Sequence, residues 1–121
     1  MKRSFHLRSE TISGAYDATE GLLKLCVSGD LKSTTVAAVH RDMEEVLKSD
    51  DVQQADMRLL EMDLTGAALV DSQGLNLLVA TLSRMKLRNV LTRIRVARRS
   101  VYSTLLSVGL DRHSELAFVQ E

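Results

Sequence analysis

At 121 residues the chain has room for one hydrophobic core and no second of similar size. Hydrophobic residues make up 45% of it and 16 basic side chains balance 16 acidic ones, a composition that excludes a disordered tail and a general polyanion binder. The balance conceals a polarity: residues 1–71 hold 8 basic and 13 acidic side chains, net −5, whereas residues 72–121 hold 8 and 3, net +5.

The opening residues Met1-Lys2-Arg3-Ser4-Phe5-His6 lead into polar sequence, and no apolar stretch approaches the roughly 18 residues that a bilayer crossing needs. Nothing marks the chain for export, so a cytoplasmic location without membrane insertion is expected. Phe5, Leu7 and Ile12 fit an edge strand in a less regular segment over residues 1–20, with a turn from Asp17 to Gly21. Leu22 to Val27 reads as a strand closed by the turn Ser28-Gly29-Asp30. Cys26 is the only cysteine and sits among Leu23, Leu25 and Val27; this predicts a buried, inert thiol in a reducing compartment and rules out an internal disulfide.

A helix over Thr34 to Leu47 places Val36, Val39, Met43, Val46 and Leu47 on one face, with Arg41, Asp42, Glu44, Glu45 and Lys48 mostly off it. Ser49-Asp50-Asp51 ends that helix. The strand Met57 to Leu64 is apolar on both faces at Leu59 and Leu60, as a central strand is when helices cover it. A second helix, Gln73 to Met85, buries Leu75, Leu78, Val79, Leu82 and Met85. In the strand Val90 to Val96, Arg93 and Arg95 alternate with Ile94 and Val96, which leaves one face wet or covered by something polar. A third helix, Ser100 to Leu106, presents Val101, Tyr102, Leu105, Leu106 and Val108 before the C-terminal cap Gly109. Leu116 to Val119 reads as the last strand. Strands alternating with one-sided helices predict an α/β domain over residues 1–121 in which the helices share one sheet.

Catalytic and metal chemistry find little support. His6, His40 and His113 stand alone, with no HxxH, HxH or CxxC spacing, so a metal site is not expected and each histidine reads as a surface residue. No GxGxxG, GxxxxGK[ST] or GxSxG motif is present, and no nucleophile–base pair supports a small hydrolase or phosphatase. Glu61, Asp63 and Asp71 invite a magnesium site, but Glu61 and Asp63 alternate with Met62 and Leu64, and nothing in the spacing brings them to Asp71. The cations Arg84, Lys86, Arg88, Arg93, Arg95, Arg98 and Arg99 lack interleaved aromatics, so a solvated face is favoured over direct nucleic-acid binding; an acidic protein partner stays open.

The chemistry concentrates at Asp71-Ser72-Gln73-Gly74-Leu75, between an apolar strand and a helix. The first backbone N–H groups of a helix lack partners and the helix dipole favours negative charge there, so a hydroxyl at that point can cap, carry a phosphate, or do both. By chemistry alone Ser72 reads first as the N-cap, accepting a backbone N–H two or three residues on. Gly74 fits a plain cap less well, because glycine in a first helical turn costs stability unless a backbone must approach closely, and a partner's backbone is the expected one.

These residues resemble the STAS domain of bacterial anti-sigma factor antagonists, over roughly Leu22 to Phe118. Met62-Asp63-Leu64-Thr65-Gly66-Ala67-Ala68-Leu69-Val70-Asp71-Ser72-Gln73-Gly74-Leu75 looks like the family's strand, loop and Asp-Ser-x-Gly-Leu helix start. Val27-Ser28-Gly29-Asp30-Leu31 is similar to its Gly-Glu-Leu strand end, and Leu106-Ser107-Val108-Gly109-Leu110 to the end of its third helix. The resemblance implies a small mixed β-sheet with helices packed on one side, no cofactor, no enzymatic activity and a partner-switching role. The serine after the aspartate, here Ser72, is phosphorylated in the family by a serine protein kinase that is also the anti-sigma factor, and a serine phosphatase reverses the step. Unmodified, the antagonist binds the kinase; phosphorylated, it lets go. The implied partner surface comprises Asp30, Lys32, Asp71, Ser72, Gln73, Gly74 and Asn76. Lys32 departs from the acidic or polar residue common there, Gln73 from a second small hydroxyl, and the family's last helix is expected to be missing since the sequence stops at Glu121. Two alternatives stay open: a homodimer, and a constitutive STAS subunit of a membrane assembly such as a lipid-transport ATPase, with Ser72 only a helix cap.

Overall fold

The structure, a computed structural model, describes residues 3–119. Six strands form one sheet whose order in space equals their order in the chain: β1 (Phe5–Arg8), β2 (Ile12–Asp17), β3 (Leu22–Val27), β4 (Leu59–Leu64), β5 (Leu91–Val96) and β6 (Glu115–Phe118). The pairs β1–β2 and β2–β3 are antiparallel, and every pair from β3 onward is parallel. Parallel neighbours require crossovers. These are α1 (Val36–Lys48) with the short α2 (Asp50–Gln54), then α3 (Ser72–Leu87), then α4 (Arg99–Ser107) with a 3₁₀ turn at Leu110–Arg112. Because such crossovers are right-handed, three in succession that step the same way across the sheet lay all their helices on one face. This is the α/β domain that the alternation of strands and helices predicts, in the one-sided mixed form that the family resemblance implies.

The period of two along each strand decides what lies under the helices. Leu23, Leu25 and Val27 of β3, Leu60, Met62 and Leu64 of β4, and Ile94 and Val96 of β5 are buried together with Val39, Met43, Leu78, Met85, Val101 and Leu105 from the helices. The opposite face is polar and carries a row of alternating charge in cross-strand register, Lys24, Glu61, Arg93 and Glu115. Lys24 Nζ lies 3.5 Å and Arg93 Nη1 3.3 Å from the Glu61 carboxylate, and Arg93 Nε lies 3.3 Å from Glu115. In the next row Arg95 Nη1 is 3.6 Å from Asp63. Arg93 and Arg95 thus cover the polar face expected of their strand. β4 differs from its sequence reading: its second face carries Glu61 and Asp63, buried beneath the arms of those cations rather than beneath apolar groups.

Several local expectations are corrected. The first residues form a hairpin, not one edge strand: Ser9 N–H donates to Ile12 O at 2.7 Å to close the turn, and Phe5 stacks on buried Tyr16 with ring centroids 5.1 Å apart. Cys26 is exposed, because the alternation that buries Leu25 and Val27 turns it to the helix-free face; partial burial and then the Asp63 charge push its thiol pKa up. Asp42, placed off the core face by its charge, is buried and accepts the N–H and hydroxyl of Thr11 at 2.8 and 2.7 Å, which tie α1 to the β1–β2 hairpin. Ser49 ends α1 and also starts α2, its Oγ donating to Val46 O and accepting Val52 N–H. On α3, Val79 is 47% exposed while Leu77 and Thr81 are buried, so the core stripe is rotated from the one read in the sequence. On α4 and just beyond it, Val101 and Leu105 are buried whereas Leu106 and Val108 are exposed.

Candidate partner-binding site at the start of the third helix

The loops that follow β3 and β4 leave the carboxyl end of the parallel strands, where open α/β sheets commonly place their functional residues. Gly29 in the first loop has φ 82°, a left-handed conformation that costs glycine nothing. The chain then runs beside the second loop through a one-residue parallel bridge, Leu31 with Val70. Leu31 N–H donates to Leu69 O at 3.0 Å, and Asp71 N–H donates to Leu31 O at 3.2 Å.

Two aspartates lock these loops reciprocally. Asp30, in the first loop, accepts the N–H groups of Ala68 and Leu69 in the second at 2.7 and 3.2 Å. Asp71, at the end of the second, accepts Ser33 N–H from the first at 2.8 Å. The other oxygen of Asp71 accepts Gln73 N–H and Gly74 N–H, both at 3.0 Å, which makes Asp71 the N-cap of α3. These donors, Gly74 foremost and then Ser33, hold the Asp71 carboxyl below its usual range. Thr35 completes the framework by donating its hydroxyl to Asp30 O at 2.8 Å and accepting Lys32 N–H at 3.0 Å. Lys32 Nζ sits 3.8 Å from the free oxygen of Asp30.

The capping role read for Ser72 therefore belongs to Asp71. Ser72 is the first helical residue and is exposed, as are Gln73 and Asn76 after it. Gly74 is buried, and the close backbone approach expected there is made by the chain itself. A Cβ at Gly74 would lie 2.2 Å from Leu31 O, the carbonyl already bonded to Asp71. The structure thus gathers Asp30, Lys32, Asp71, Ser72 and Gln73 at one end of the sheet, with Asn76 one turn along the helix. Within that group Asp30 and Asp71 are builders of the surface, and Ser72, Gln73 and Asn76 are its exposed side chains.

Sequence reasoning missed Ser33, Thr35 and Leu69. The hydroxyl run Ser33-Thr34-Thr35 ahead of α1 was a signal for loop hydrogen bonding. Leu69 was a signal of another kind, an apolar side chain without periodic partners, and it stands 47% exposed on the loop that leads to Asp71. Glu61 and Asp63 do not join Asp71: they are engaged with the cations of the helix-free face, and Asp63 also accepts the N–H and hydroxyl of Thr65 at 2.9 and 2.6 Å. Among the described residues no group of His, Cys, Asp and Glu is placed to hold a metal ion, and no helix is long and apolar enough to cross a membrane. Residues 15–118 match the family model described as the STAS domain. No curated protein matches the chain.

Proposed function

The chain belongs to the STAS domain family, and on that premise we propose that it is an anti-sigma factor antagonist that works by partner switching at Ser72. The observation that carries this reading is the division of labour at the helix start. Asp71 does the capping, so the exposed Ser72 hydroxyl is spare for a kinase. Exposed Gln73, Asn76 and Leu69 around it supply polar and apolar contact surface for a protein partner.

Phosphorylation adds about −1.5 to −2 charges at that point. The Gln73 and Gly74 N–H groups, the donors a phosphate at a helix start would otherwise use, are held by the Asp71 carboxylate. The phosphate therefore faces outward beside a second anion, and a partner surface fitted to a neutral hydroxyl is repelled by charge and bulk without refolding of the domain. In this reading the unmodified protein binds a cytoplasmic serine kinase that is also the anti-sigma factor, and a serine phosphatase restores the binding form. The competing role is a constitutive subunit of a lipid-transport ATPase in which Ser72, whose expected capping task falls to Asp71, carries no switch.

Incubation with ATP and a serine kinase of the anti-sigma type from the same organism should place one phosphate on Ser72, and Ser72→Asp should abolish the kinase complex. An unmodified Ser72, or kinase binding indifferent to Ser72→Asp, overturns the proposal. Co-purification with a membrane ATPase that survives Ser72→Asp would favour the constitutive role.

A further inference from the structure

Ser72, Asn76, Val79, Ser83 and Lys86 recur at three- and four-residue intervals along α3 and are all exposed, so they form one stripe that starts at the switch. The stripe runs into a groove of about 530 Å³ between α3, the start of β5 and the turn after α4. Val79, Leu82, Ser83, Lys86, Val108 and His113 are among its lining residues. Val79, Val108 and Leu91 at this groove are 47%, 52% and 74% exposed, a contiguous apolar surface of the kind that marks a docking site.

Charge specifies the occupant. No acidic residue lines the groove, and Asp111, adjacent to the lining residue Leu110, is the nearest in sequence. Arg84, Arg93 and Arg95 elsewhere in the basic half are paired with carboxylates. Lys86 in the groove, Arg88 beyond it and Arg112 beside it have no ion-pair partner among the described residues. An apolar floor with unpaired cations about it matches an amphipathic helix whose apolar face is bordered by Asp or Glu. A second copy of this chain is a poorer source of such a helix, since the apolar face of its acid-bearing helix α1, Val39, Met43, Val46 and Leu47, is already buried in its own core.

We propose that this groove seats an acidic amphipathic helix of the same protein partner that reads Ser72, and to that extent the proposal rests on the phosphoswitch reading. At 1.5 Å per residue, Val79 lies roughly 10 Å along α3 from Ser72, so one partner helix spans both. The switch then controls only part of the contact, and the groove supplies the rest.

The test uses the full chain, isotope-labelled for NMR, and a helical peptide of about 18 residues with leucine on one face and glutamate on the other. Shifts should map to Val79, Ser83, Lys86 and Val108, and Lys86→Glu or Val79→Asp should each weaken binding about tenfold. Shifts elsewhere, equal binding of a peptide with lysine in place of glutamate, or self-association through the groove without peptide overturns the proposal. The same two variants should weaken the kinase complex. A complex that responds to Ser72→Asp but ignores both groove variants overturns the groove and leaves the phosphoswitch, whereas one that needs the groove and ignores Ser72→Asp does the reverse.

Discussion

Asp71 and Ser72 are neighbours with opposite duties. The carboxylate accepts three backbone N–H groups and fixes the start of α3, which leaves the adjacent hydroxyl without structural work. Those donors favour the ionised form, so the folded pKa lies below the ~3.9 of an unfolded aspartate. The resulting stability is complete above the unfolded value and is lost as pH falls through the folded one. Asp71→Asn should lower Tm at neutral pH, and thermal melts of the two proteins should converge as acid is added below the usual aspartate range. At Gly74 two effects compete. Alanine gains about 1 kcal/mol of helix propensity, but its Cβ would meet Leu31 O at 2.2 Å, and that carbonyl is pinned by Asp71 N–H. The clash wins, so Gly74→Ala should cost roughly 3 kcal/mol net in urea unfolding. At this scale the sequence made the motif legible, since Asp-Ser-x-Gly at a helix start announces a cap and a close approach. Which of two adjacent oxygen-bearing residues caps, and whose backbone approaches, depended on the Leu31 loop, which is distant in sequence.

Elements were legible where periodicity was strong and unpartnered charge was rare. β3, β5 and the three longer helices were legible as elements, although the buried stripes of α3 and α4 differ from those read, whereas Asp42 hides on the core face of α1 because Thr11 of the hairpin turn supplies two hydrogen bonds that no helical pattern reveals. Ser49 hid α2 in the same way, by serving two helices at once. The loops after β3 and β4 act as one element, clamped from either side by Asp30 and Asp71. Removing either aspartate loosens both loops, so the doubly substituted Asp30→Ala, Asp71→Ala protein should be less destabilised than the sum of the singles in a double-mutant cycle. Glu61 presents the other element-level test. Its carboxylate is buried, but its cations on β3 and β5 are about one third to one half exposed. Glu61→Ala should therefore cost about 2 kcal/mol, below a fully buried pair and above a surface one, as read by denaturant midpoint.

For the molecule as a whole, charge is sorted by function. The acidic half of the chain engages Asp30, Asp42, Glu44, Glu61, Asp63 and Asp71 in hydrogen bonds or ion pairs within the fold, whereas the basic half leaves Lys86, Arg88, Arg98, Arg99 and Arg112 without ion-pair partners among the described residues. Sequence reading detected the imbalance but could not tell which cations the β4 carboxylates would absorb, because pairing across strands depends on register. The one-sided sheet has a further consequence, for synthesis. Each strand from β2 onward pairs with the strand made just before it, so a nascent chain leaving the ribosome never has to wait for a later segment or open a finished pair to insert one. The sheet can grow from a single edge at the pace of translation. Force measurements on stalled nascent chains should then show tension rising in steps as β3, β4 and β5 emerge, rather than one late pull after β6.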